Sequence, residues 1–155
     1  MTLYFLIKTV HVLSATVLFG TGLGIAFFMF QSRFTGDLRE KYFALRTTVL
    51  ADALFTLPAA VVQPVTGAWL VANDGFQGSE PWLIASYALY GLAVLCWVPV
   101  IWIQVRLKQI AAACLASSTP LPPLYRRLFR IWFILGWPAF AALLAVFFLM
   151  IAKPG

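Results

Sequence analysis

The sequence predicts an all-α integral membrane protein, a four-transmembrane-helix bundle forming one domain over residues 1–155. Three observations carry that expectation. First, 63% of the residues are hydrophobic and 10% charged, with mean hydropathy +0.92; soluble domains run at roughly 45–50% and about 25%. Second, four long apolar runs are separated by short polar stretches, and a span needs ~20 apolar residues. Third, the basic residues gather in two of the connections, as positive-inside topology demands. No room is left for a soluble catalytic domain, so any chemistry belongs within the bundle or at its faces.

The first span runs from about Leu3 to Phe30 and ends at Gln31-Ser-Arg-Phe-Thr-Gly-Asp-Leu-Arg-Glu-Lys41. That run is too long for the apolar core of a signal peptide and leads into no small-residue cleavage pattern, so it reads as a retained helix. The second span, about Leu45 to Val71, is interrupted by Pro58 and Pro64. A turn-rich stretch, Asn73 to Glu80, follows. Pro81 opens the third span at the first helical position, where a missing N–H costs least. This span reaches about Val105. Ser117-Ser-Thr-Pro-Leu-Pro-Pro123 cannot continue a helix, and the fourth span covers about Leu128 to Ala152.

Connection one–two carries Arg33, Arg39, Lys41 and Arg46, and connection three–four carries Arg106, Lys108, Arg126, Arg127 and Arg130. The opposite face has only Lys8 and Lys153, with Asp74 and Glu80 in its loop. Nine against two predicts a multi-pass protein of a bacterial inner membrane with both termini in the periplasm. Trp69, Trp82 and Tyr4 fall where an outer aromatic belt would lie, and Tyr42, Tyr125 and Trp132 suit the inner one. The net charge of +6 is thus a matter of topology, and nucleic acid is excluded as a partner. Cys96 and Cys114 have no C-x-x-C spacing and read as small packing residues.

In so apolar a bundle the polar positions are the informative ones. An ionisable group at membrane depth costs ~2.5–3.5 kcal/mol on insertion scales and so faces the bundle interior or a cavity. Lys8 and His11 share a face of the first helix at i, i+3, and Lys8 could snorkel to the headgroups. His11, the chain's one histidine, reads as a hydrogen-bonded core histidine, a haem or metal ligand, or a proton relay. Gln63, Thr66 and Tyr90 come to a similar depth and could form an outer-half pocket with it. Pro64 frees a backbone carbonyl there. Asp52, about two turns in from the inner side, would pair with Arg46 or Arg130. Met150 is a soft candidate axial ligand that equally suits packing. Gly20-x-x-x-Gly24, with Gly22 between, permits close helix approach or leaves room for a planar cofactor.

Lys8-x-x-His11 followed by Gly20-x-Gly22-x-Gly24, with Leu135-Gly-Trp-Pro-Ala-Phe140 and Leu149-Met-Ile-Ala-Lys-Pro154, resembles a family of uncharacterised bacterial four-helix membrane proteins. The resemblance covers essentially the whole chain. More distantly, the first helix is similar to oxygen-independent protoporphyrinogen IX oxidases of the HemJ type and to copper-resistance D-type (CopD) membrane domains. The former resemblance implies a haem b protein in which His11 is the functional histidine. Redox chemistry on haem b, with His11 as axial ligand and Met150 or Tyr90 as candidate partners, is the leading expectation. The alternative is a non-catalytic accessory or assembly subunit, as a homodimer or within a larger membrane complex, in contact with the lipid bilayer. A transporter using Lys8, His11 and Asp52 is a third reading. No paired carboxylates and no phosphate-cradling glycine loop support a soluble-type enzyme.

Overall fold

The computed structural model describes residues 2–75 and 78–154, and its regular structure is entirely helical. Four helices are long and apolar enough to cross a membrane: α1 (Thr2–Gln31), α2 (Leu38–Asn73), α3 (Pro81–Ser117) and α4 (Pro123–Ala152). One end of the bundle holds the chain termini and the α2–α3 turn; the other, the basic end, holds the two Arg- and Lys-rich connections. Phe76 and Gln77, within the predicted turn, lie outside the described residues.

Local chemistry sets the helix limits. The Asp37 carboxylate accepts from the backbone N–H of Arg39 and caps the start of α2, satisfying a donor with no partner inside the helix. Pro81 begins α3. That helix runs past Val105 to Ser117, and Ser118 ends it in a left-handed conformation with φ of 53°, ahead of Pro120 and Pro122. α4 starts at Pro123, five residues before Leu128.

Neither proline interrupts α2. Its backbone widens instead into a π turn over Asp52–Thr56, in which the Leu57 N–H bonds the Asp52 carbonyl. In a regular α-helix the Pro58 ring would meet the carbonyl of Leu54, four residues earlier. The wider turn sits at that point and lets the helix pass.

α1 packs along α2 and α3 along α4, giving two hairpins that meet where the start of α2 lies against α3. Aromatic rings tie α1 to α4: Phe19 stacks on Phe140 at 4.7 Å between centroids, and Phe30 on Phe133 at 5.3 Å. Between these contacts the hairpins leave cavities.

The buried core lies toward the basic end, where Met29, Leu45, Val100, Ile103, Leu107, Ala111, Tyr125, Leu128 and Trp132 form one cluster. Length explains the location. The 37 residues of α3 extend about 55 Å at 1.5 Å per residue, against a hydrocarbon layer of ~30 Å. The stretch bearing Arg106 and Lys108 therefore projects into water, where burying apolar surface stabilises; in lipid no such driving force exists between helices. Large apolar side chains along the spans, such as Leu95 (74% exposed) and Ile151 (83%), face outward, as contact with acyl chains requires.

Three of the proposed belt aromatics are not at the periphery. Trp82, Tyr125 and Trp132 are buried and pack inside the bundle. Cys96 and Cys114 are free thiols, with Cys114 buried against the Pro120 carbonyl.

Candidate functional site

His11 sits on the inner face of α1, half-buried, and both its ring nitrogens are engaged by α2. Nδ1 lies 2.8 Å from Thr66 Oγ1, and Nε2 lies 3.2 Å from Gln63 Nε2. The Thr66 hydroxyl donates to the Val62 carbonyl at 2.7 Å, which leaves its lone pair to accept from His11 Nδ1–H. Ser14 lies within hydrogen-bond distance of both the His11 carbonyl and Gln63 Oε1; where its hydroxyl serves Gln63, the amide N–H groups face the imidazole and the lone pair of a neutral His11 lies on Nε2. A histidine whose second nitrogen is fixed in this way has the orientation that metal-ligating histidines have.

A glycine makes the approach possible. A Cβ at Gly67 would stand 3.1 Å from His11 Cε1, tighter than a side chain tolerates without displacement. Nothing of the kind holds for the glycines of α1. A Cβ at Gly20, Gly22 or Gly24 would meet nothing within 4 Å, so that stripe serves no close packing inside this bundle.

His11, Gln63, Tyr90 and Met150 line one cavity of about 440 Å³ between the two hairpins, and Lys8 and Lys153 stand on its wall near the terminal end. Its volume falls within the ~300–1,000 Å³ of small-molecule and cofactor sites. Thr66 stands behind the imidazole and buttresses it. Lys8 is exposed and donates to the Tyr4 hydroxyl at 3.4 Å; Tyr4 in turn donates to Asp74 at 3.1 Å, linking α1 to the end of α2. Lys153 lies over the Trp82 ring at 5.6 Å.

Tyr90 has a second task. Its hydroxyl donates to the Ala60 carbonyl at 2.6 Å, and Ala60 is four residues before Pro64. That carbonyl would have bonded the N–H that proline lacks. The phenol hydrogen is therefore committed to α2, while the ring walls the cavity.

Asp52 forms no ion pair with Arg46 or Arg130. Neither carboxylate oxygen has a hydrogen-bond partner among the described residues. Arg46, six residues earlier on α2, sits about 9 Å along the axis and faces another side of the helix; Arg130 lies seven residues into α4, about 10 Å from its start, against about 21 Å for Asp52 from the start of α2. Replacing a buried, unpaired carboxylate removes a desolvation cost of about 1–3 kcal/mol. Asp52→Leu is accordingly expected to raise the thermal unfolding midpoint in detergent, and an unchanged or lower midpoint would show that the carboxylate is compensated.

Among the described residues no group of three or more His, Cys, Asp or Glu could hold a metal ion. Gly67 and Gln104 went unpredicted. Gly67 carries a weak signal, a glycine one residue after Thr66 at the depth of His11. Gln104, buried beside Asp52, carries a plainer one as an amide inside an apolar span.

In comparison with known proteins, the family described as "Predicted integral membrane protein (DUF2269)" matches residues 5–154. No curated protein and no solved structure matches the chain significantly.

Proposed function

Since the chain belongs to that family of predicted integral membrane proteins, we propose that it is a haem b protein of a bacterial inner membrane, acting in membrane redox chemistry. The observation that carries the reading is His11, which lines a 440 Å³ cavity with its Nδ1 held by Thr66. Haem b would supply one-electron chemistry at an iron whose potential follows its axial ligands and surroundings. His11 would hold the iron, with Gln63 giving way and Thr66 keeping the ring in place, and Met150, which lines the same cavity, would be a second protein ligand. Lys8 and Lys153 would meet the propionates near the membrane surface. The HemJ-type oxidases that the first helix resembles use a lysine on their third helix, and the third span of this chain, Pro81 to Val105, has none, so the proposal extends to haem binding and not to protoporphyrinogen oxidation. The nine-against-two distribution of basic residues supports a topology with both termini in the periplasm, and with it a cavity toward that side.

Protein expressed with ample haem and purified is expected to show a Soret band that His11→Ala loses and Met150→Leu shifts. A wild-type sample without a Soret band overturns the reading.

A second reading has one observation in its favour. Gly20 and Gly24 meet no neighbour in the bundle, and a G-x-x-x-G face suits close approach of another helix. A homodimer or a place in a larger complex would use it, compatibly with haem.

A further inference from the structure

A second cavity, of about 290 Å³, lies deeper between the hairpins and adjoins the first at Leu18, Tyr90 and Leu143. Its polar groups are ones the His11 site does not use: Asp52 and Thr56 from α2, and Gln104 from α3. They are 4%, 4% and 3% exposed. Both Asp52 oxygens, Thr56 Oγ1 and Gln104 Oε1 lack a hydrogen bond of good geometry among the described residues, although the Thr56, Gln104 and Trp97 side chains approach the carboxylate. Buried polar atoms are nearly always paired, so four such atoms at one place ask for a ligand. Asp52 and Thr56 open and close the π turn, a distortion frequent at functional sites. At i, i+4 they share a face.

The chemistry of the group restricts the ligand. Three of the four atoms are pure acceptors and the fourth is a hydroxyl, so the ligand must bring donors or positive charge. The carboxylate repels an anion. The cavity is also far larger than a bare ion needs, since a water molecule's share of liquid volume is about 30 Å³. Its remaining wall is apolar and aromatic, including Trp97, Trp132, Trp137 and Phe140, and such ring faces attract cations.

We propose that this cavity binds a hydrophobic primary ammonium ion, its –NH₃⁺ group held by Asp52, Thr56 and Gln104 and its apolar body by the aromatic wall. Three N–H donors meet three acceptor side chains, and the single positive charge meets the single carboxylate. Haem binding at His11 is not required for it.

The test is titration of the purified full-length protein in non-ionic detergent with phenethylammonium chloride, read by tryptophan fluorescence, since three indoles line the cavity. 2-Phenylethanol, the uncharged counterpart, and sodium chloride are titrated in parallel. A saturable change with the amine alone is expected, weakened about tenfold or more by Asp52→Asn and less by the near-isosteric Thr56→Val. Far-UV circular dichroism of both variants establishes that they fold; if Asp52→Asn does not, weakened binding by Thr56→Val carries the test. Four results overturn the proposal: no saturable change with the amine, equal binding of 2-phenylethanol, unweakened binding by folded variants, or a sodium response that displaces the amine. The last would reassign the group as a bare-cation site.

Discussion

Gly67→Val is expected to abolish haem binding while leaving the bundle folded. A Cβ at this position already comes within 3.1 Å of His11 Cε1, and valine adds two methyl groups against the imidazole. Close-packed side chains relieve such overlap by leaving their rotamers or shifting backbone, at about 1–3 kcal/mol. Here the ring is the movable part, and moving it breaks the 2.8 Å bond to Thr66 that fixes Nε2. Gly67→Ala should weaken binding without abolishing it. Gly91→Val is the control, because a Cβ there meets nothing within 4 Å. The measurement is Soret absorbance per mole of protein, with helicity by circular dichroism beside it. A Gly67→Val protein with a wild-type Soret band would separate His11 from the haem.

Leu107→Ala should be among the most destabilising single truncations in the chain. Leu107 is 0% exposed and sits among Leu45, Ala111, Tyr125 and Leu128, in the part of α3 that extends beyond the hydrocarbon layer. Losing the side chain forfeits apolar burial and leaves a cavity, together about 2–5 kcal/mol for Leu→Ala in a packed core. Leu95→Ala, at a position 74% exposed toward lipid, should change stability by a small fraction of that. Thermal or denaturant unfolding in detergent distinguishes the two. Equal losses would mean that the lipid-facing spans, and not the basic end, hold the hairpins together.

The spans were legible because hydropathy over ~20 residues is a one-dimensional signal. The helix ends were not. Apolar content stops marking a helix once it leaves the bilayer, so the third apolar span ends near Val105 although local chemistry carries α3 to Ser117. Prolines misled in the opposite direction: Pro58 is absorbed by a π turn, and the carbonyl freed by Pro64 is taken up by Tyr90.

Depth matching brought His11, Gln63, Thr66 and Tyr90 to one level; the structure sets Gln63 and Thr66 against the imidazole, and His11, Gln63 and Tyr90, without Thr66, line one cavity. Which side of a helix faces its neighbours was beyond the reach of depth alone. That is why Gly20-x-x-x-Gly24 attracted attention while Gly67 made the close contact. It is also why the sequence points Asp52 to Arg46 or Arg130 while its neighbours in the fold are Thr56 and Gln104.

The most direct test of His11 as a haem ligand is a haem titration of protein purified from haem-starved cells, followed at the Soret maximum. Saturation at one haem per chain is expected for the wild type, with no saturation for His11→Ala. A flat wild-type titration, or a His11→Ala curve that overlays it, would contradict the assignment.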